Sequence, residues 1–216
     1  MDSVSLIGFT LNFRDFQRTC KCVTALLSEG ASHVLVWDNS EDGGDCATLL
    51  ARFWCNEKRV TILVSPVNVG FGAAVNRGLN WIREHFKGQY VALINNDALF
   101  LPGALSLLTS ALIKNPKALI AYPKINHGGS ILGTAYYQPW LGIFASRRLP
   151  GCFPYASGCA MLLALERFDG PLFDEAFFMY GEDIELGWRF SNVRGGILHV
   201  PKLLVEHVGS ASSGMA

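Results

Sequence analysis

Four short apolar runs, each followed by a polar turn and then a helix-like stretch, constrain this chain more than any other feature. They are Val4 to Thr10, 33–38 (HVLVWD), 60–65 (VTILVS) and 90–95 (YVALIN). Runs of this length, rich in β-branched residues and without polar alternation, suit strands covered on both faces. Helical patterns stand between them at Gln17 to Ser28, through Leu49, Leu50 and Phe53, and at Gly72 to Glu84, where Ala74, Leu79 and Ile82 share a face. Alternating strand and helix implies parallel pairing with right-handed crossovers, hence an α/β, doubly wound, mostly parallel sheet.

Ligands of such sheets sit beyond the carboxyl ends of the strands. The polar residues that follow each run are therefore the candidates: Thr10 and Asn12, Asp38 and Asn39, Asn68, and Asn95, Asn96 and Asp97. The turn NVGFGAAVN at 68–76 could let the backbone approach a phosphate at a helix amino terminus, or could be a tight strand-to-helix turn. It departs from a dinucleotide fingerprint, because Val75 occupies the third glycine position and the motif follows the third strand.

Past Leu101, a helix (Ala104 to Ile113) and a strand (Ala118 to Tyr122) continue the pattern, and residues 123–158 read as one long flexible loop. A strand-like CAMLLAL, the acidic and aromatic segment FDEAFFMYGEDIELGWRF, and two short strands at Gly196 to Val200 and Leu203 to Val205 follow. The organisation expected is one domain over 1–216, in two halves, 1–100 and 101–216.

Composition narrows the functions. Among 216 residues, 18 basic and 18 acidic side chains cancel, so the charge excess that nucleic acid demands is absent. The six cysteines match neither a zinc site nor a CxxC pair and read as buried free thiols. The opening MDSVSLIGFTLNFRDF lacks the features of a signal peptide, so a cytoplasmic setting is expected. AMLLAL, the longest apolar run, is too short to span a bilayer, which leaves peripheral contact at its inner face as the only membrane association expected.

Two groups could carry chemistry. Asp97 ends a strand where a divalent cation could join it to diphosphate oxygens, although Asn and Asp also favour caps and turns. Glu182, Asp183 and Glu185 lie among Phe177, Phe178, Tyr180 and Trp188, a setting that could desolvate a carboxylate and raise its basicity. His207 follows the last strand and is a possible metal ligand; His33, His85, His127 and His199 read as structural. No serine-hydrolase elbow or HExxH helix is present.

In order, TLN (10–12), VWDNSEDGG (36–44), NVGFGAAVNRGL (68–79), LINND (93–97), ASGCAMLL (156–163), FDEAFFMYGEDIELGWR (173–189) and HVGSAS (207–212) resemble the family 2 glycosyltransferases of GT-A fold, particularly bacterial rhamnosyltransferases. The resemblance implies an inverting transfer from a dTDP- or UDP-linked sugar to a saccharide or lipid-linked acceptor in surface polysaccharide biosynthesis. It implies that Thr10, Asn12, Asp38 and Asn39 surround the nucleoside, with Asp38 accepting from the base imide, and that Asn68, Gly70 and Asn76 line the nucleotide and sugar. Asn95, Asn96 and Asp97 would meet the diphosphate, with Mn²⁺ or Mg²⁺ held by Asp97 and His207. Asp97 matches the last acid of a DxD motif, and Asn95 stands where the first acid often is. Asp183 would be the catalytic base, with Glu182 beside it. A nucleotidyltransferase is the competing reading, without its glycine- and lysine-rich opening loop; a sugar-nucleotide-binding protein without catalysis is another.

Overall fold

The alternation of the first half folds as its pattern implies. In a computed structural model describing residues 5–87, 89–132, 135–145, 147–191, 193 and 195–207, β1 (Ser5–Asn12), β2 (His33–Asp38), β3 (Val60–Val64) and β4 (Gln89–Ile94) pair in parallel in the order β3-β2-β1-β4. Their crossovers are α1 (Phe16–Ser28), α2 (Asp45–Phe53) and α3 (Phe71–His85). The Asp15 carboxylate caps α1 by accepting from Arg18 N at 3.0 Å. β3 is only partly covered, because it is the edge strand.

The second half extends the same sheet in mixed sense. β5 (Ala98–Phe100), α4 (Ala104–Lys114), β6 (Ile120–His127), β11 (Ala160–Ala164), α5 (Glu182–Ser191) and β12 (Ile197–His207) complete the order β3-β2-β1-β4-β11-β6-β12-β5. β11 lies antiparallel between β4 and β6 and is buried along its whole length. The two short strands expected near the carboxyl end are one strand, with register shifts between Val200 and Leu203 and between Leu203 and Val205.

Residues 123–158, expected as one loop, instead hold the end of β6, β7 (Ser130–Leu132) paired to β6, and a second sheet of β8 (Ala135–Gln138), β9 (Ile143–Ala145) and β10 (Phe153–Tyr155) in the order β10-β8-β9. Cross-strand rings hold this small sheet together: Tyr137 meets Phe144 at 5.3 Å and Phe153 at 5.8 Å between centroids. Three- and four-residue strands are too short for period-two patterning to be read among glycines and prolines.

Strand alternation splits the core into two layers. Val34 and Val36 face α1, α2 and α4, packing with Val23, Leu26, Leu50, Leu105 and Leu108, whereas Leu35, Ile7 and Phe9 face α3 and α5, packing with Val75, Leu79, Ile82 and Leu186. The carboxyl ends of β1 to β4 are thereby left open at one rim.

Candidate active site

A cavity of about 310 Å³ occupies that rim. One wall is built from residues at strand ends: Asn12, Asn39, Asn68, Asn95, Asn96 and Asp97. The facing wall is Ser157, Gly158, Cys159, Met179, Tyr180, Glu182 and Asp183, and His207 closes one side.

The nucleoside-side residues do not all reach this space. Asn12 does, and it organises its neighbours: its Nδ2 donates to Asp38 Oδ1 at 2.7 Å and to Ser40 Oγ at 3.1 Å, and its Oδ1 accepts from Thr19 Oγ1 at 2.6 Å. Asp38 also accepts from Ser40 Oγ at 2.5 Å. Asp38, expected to accept from a base imide, is fully buried, and its Oδ1 helps join β1 to β2. Thr10, two residues back on the same face of β1, is buried beside Cys22 and likewise does not line the cavity.

The glycine-rich turn is a tight strand-to-helix turn bound on both sides. Asn39 Nδ2 donates to Asn68 Oδ1 at 2.7 Å, and Asn39 Oδ1 accepts from Val69 N at 3.2 Å, so residues 68–70 are tied to the end of β2. Gly70 has φ 82° and ψ 172°, a conformation essentially confined to glycine. A Cβ there would stand 2.5 Å from Phe178 O, and Phe71 N donates to that same oxygen at 2.8 Å. The first amide of α3 is thus used by the acceptor-side segment and is not available to an anion. Asn76 is spent in the same way. Its Nδ2 donates to Phe173 O and Glu175 Oε1 at 2.8 and 3.0 Å, and its Oδ1 accepts from Leu172 N and Phe173 N at 2.9 and 3.1 Å. Neither Gly70 nor Asn76 lines the cavity.

Strand register brings the two expected metal ligands together. Ala98 of β5 pairs with His207 of β12, and His207 pairs with His127 of β6, so Asp97 and both imidazoles converge. His207 Nε2 lies 3.1 Å from Asp97 Oδ1, and its Nδ1 lies 2.6 Å from His127 Nδ1. Burial raises the Asp97 carboxyl, but the hydrogen bond and charge of His207 outweigh it and hold the group below its ordinary value. His127, read from sequence as structural, is therefore the group that orients His207; nothing in the local sequence signals it, because the contact arises from strand pairing. Of HVGSAS, only His207 falls within the described residues.

Asp97 and His207 suit a divalent cation. A carboxylate and an imidazole backed by a second hydrogen-bonding ring are usual donors, and cis ligands about 2.1 Å from an octahedral ion stand about 3 Å apart. Two protein donors are few, and among the described residues no group of three or more His, Cys, Asp or Glu could hold a metal ion. The remaining coordination must come from elsewhere, as diphosphate oxygens would provide.

On the facing wall, Tyr180 (φ 67°) and Gly181 (φ 94°) turn the chain sharply into α5, so that Glu182 and Asp183 open the helix at the cavity. A non-glycine residue in the left-handed region is unusual, and such strain concentrates at functional positions. Asp183 Oδ2 accepts from Gly158 N at 3.3 Å. Burial pushes both carboxyls above the ordinary range despite the backbone amides that stabilise their charge. Glu182 is 6 % exposed, and its Oε2 has no hydrogen-bond partner among the described residues. Of the aromatic residues expected to supply the desolvation, Phe178, Tyr180 and Trp188 are each more than half exposed and Phe177 is half-buried. Gly158 meets Asp183 through its amide and lies close to Phe71 and Glu182. Glu185 takes no part, because it is bridged to Arg189 at 2.7 Å.

The six cysteines are free; five are buried, whereas Cys55 is exposed.

A mixed α/β sheet whose first four strands run parallel is the fold of the GT-A glycosyltransferases. The chain belongs to glycosyl transferase family 2, whose family model matches residues 13–166, and it is a glycosyltransferase. That span contains Asp97 and ends before Asp183 and His207. The chain is 28% identical over 222 residues to the N-acetylglucosaminyl-diphospho-decaprenol L-rhamnosyltransferase of two Mycobacterium tuberculosis strains, CDC 1551 / Oshkosh and H37Rv, covering 88% of this chain and 71% of the relative. In fold it is similar to GalNAc-T7 solved with UDP, GalNAc and Mn²⁺ (TM-score 0.73, 12% identity). It is also similar to a mannosyltransferase from Pyrobaculum calidifontis in complex with GDP-Man and Mn²⁺ (TM-score 0.67, 13% identity). These matches cover 96% of this chain but 44% and 58% of the two solved chains.

Proposed function

We propose that the chain transfers rhamnose, with inversion, from a dTDP- or UDP-linked donor to a hydroxyl of a lipid-linked saccharide in surface polysaccharide biosynthesis. The observation that carries this reading is the pairing of two unlike groups across one cavity: Asp97 with His207 on the strand-end wall, Asp183 with Glu182 on the other. The sugar and the lipid-linked acceptor are carried over from the mycobacterial relative.

In this mechanism the acceptor hydroxyl oxygen attacks the anomeric carbon from the side of α5, and its proton passes to the Asp183 carboxylate. The bond from the anomeric carbon to the diphosphate oxygen breaks, and its electron pair leaves with the nucleoside diphosphate. Asp183 suits the role because desolvation has raised its basicity and Gly158 N fixes its orientation. Glu182 Oε2, buried and unpartnered, is available to accept from a second acceptor hydroxyl. Asn68 lines the nucleotide side of the wall, while the amides of Asn12 and Asn39 hold that wall together. Asp97 and His207 would hold a divalent cation, which would supply positive charge opposite the departing diphosphate.

The test is thermal shift with dTDP, UDP and GDP, each with and without Mn²⁺, followed by transfer from dTDP-rhamnose to a short-chain polyprenyl-diphospho-N-acetylglucosamine. A ligand at about 100 times its Kd adds about 2.7 kcal/mol, or roughly 5–10 °C in a chain of this size. Stabilisation by dTDP or UDP with Mn²⁺, together with rhamnosyl transfer, is expected. No stabilisation by any of the three would overturn the reading.

A further inference from the structure

We infer that the tip of the β8–β9 hairpin, together with the connection that follows β9, is a docking surface for an anionic lipid bilayer. At the tip of the β8–β9 hairpin, Trp140 is 88 % exposed and Leu141 67 % exposed. The display is built, not incidental. Gly142 N donates to Gln138 O at 2.9 Å to close the turn, and the buried Gln138 side chain clamps what surrounds it. Its Oε1 accepts from Trp140 N at 2.8 Å, and its Nε2 donates to Pro150 O at 2.6 Å. The connection after β9 is thereby folded back against the tip. That connection carries exposed Leu149 and two exposed arginines, Arg147 and Arg148, neither of which has an ion-pair partner among the described residues.

Charge distribution identifies the occupant. From Ala98 to Leu165 the sequence contains no Asp or Glu, while Lys114, Lys117, Lys124, Arg147 and Arg148 lie within that span; the neutral total charge conceals this asymmetry. An exposed tryptophan and leucine beside unpaired arginines match the interface of a bilayer with negative headgroups, where the ring sits at headgroup depth and the guanidiniums meet phosphates. A second copy of the chain on the same face would set arginine pair against arginine pair. The surface is joined to the site: β10 pairs with β8, packs on α5 so closely that a Cβ on Gly187 would stand 2.5 Å from Tyr155 Cβ, and runs directly into Ser157 and Gly158 on the cavity wall. Seating the hairpin in headgroups would hold the Asp183 side of the cavity at a fixed height above the membrane. The functional benefit rests on the proposed lipid-linked acceptor; the surface itself does not.

The experiment is co-sedimentation of the whole chain with vesicles of phosphatidylglycerol and phosphatidylcholine, against phosphatidylcholine alone. Wild type is expected to bind the anionic vesicles preferentially. W140S/L141S should lose about tenfold or more in partitioning to both. R147Q/R148Q should lose about fivefold per arginine, and on the anionic vesicles only. Both variants should retain transfer to a water-soluble acceptor and lose it to a vesicle-embedded one. Wild type that ignores anionic vesicles, or variants that bind as wild type does, would overturn the inference. So would a concentration-dependent dimer that W140S/L141S dissociates without any change in vesicle binding. Vesicle binding with the expected variant pattern but no transfer to either acceptor would uphold the surface and reject the transfer reading.

Discussion

Replacing Asp183 by asparagine removes one charge and almost nothing else. The amide oxygen can still accept from Gly158 N, the 3.3 Å bond that positions the side chain, so the wall of the cavity should survive. Alanine would be a poorer probe, because an unpartnered buried amide costs about 1–3 kcal/mol and would mix stability with catalysis. Loss of a general base typically slows transfer about 10²–10⁴-fold, which corresponds to about 3–5 kcal/mol of barrier. Stability should move the other way. Burial holds the Asp183 carboxyl above its ordinary value in the folded chain, so the native state binds this proton more tightly than the unfolded one. Stability therefore falls as pH rises from the ordinary carboxyl range through the raised value, and the neutral asparagine escapes that loss. At neutral pH, Asp183→Asn should melt at or above the wild-type temperature while single-turnover transfer collapses. The acid limb of kcat/KM in wild type should lie above the ordinary carboxyl range, since the base must be ionised. Transfer within tenfold of wild type, with a lowered melting temperature, would make Asp183 a helix cap and refute the assignment.

Two further outcomes test the groups that structure, not sequence, singles out. Gly70→Ala forces a side chain into a conformation suited to glycine and against Phe178 O, and should cost about 1–3 kcal/mol, read as a drop of several degrees in melting temperature with faster proteolysis near 177–180; an unchanged melting curve would show that the turn is not locked there. His127→Ala should reduce Mn²⁺-supported nucleotide affinity by about tenfold or more in calorimetry, because His207 loses the ring that orients it, while affinity without metal stays constant; equal Mn²⁺ dependence in both proteins would remove His127 from that role.

How far the site is legible in sequence depends on whether a residue's role is local. Asn12, Asn39, Asn68 and Asn95 to Asp97 follow apolar strands, and strand ends of a parallel sheet open to one rim, so position alone places them at the cavity. Asp183 and Glu182 announce themselves as paired acids after a left-handed turn at a helix start. Asp38 looks identical by that logic and is not at the wall, because Asn12 and Ser40 lie close enough to consume its oxygen. Spacing within one segment cannot show whether a partner from another strand has already satisfied a side chain. His127 is the converse case: its role exists only through the β6–β12 register, 80 residues apart in sequence. The second sheet was illegible for a different reason, since its strands are held by cross-strand aromatic pairs and not by a repeated pattern along the chain.

Three residues at the glycine-rich turn bear on how the two walls are joined. Gly70, Phe71 and Asn76 lie at the start of α3, on the donor side by sequence, yet each is committed to residues 172–178 of the opposite wall. Asn39 and Asn68 hold the preceding turn from the strand side. Residues 68–76 are therefore a rigid bridge, bonded to β2 at one end and to the segment leading into Asp183 at the other. A ligand that contacts Asn39 or Asn68 pulls on the same turn whose far end fixes Phe178, two residues before the left-handed Tyr180. Residues of the strand-end wall and the segment leading to Asp183 are in this way hydrogen-bonded into one unit, so Gly70→Ala is expected to disturb both.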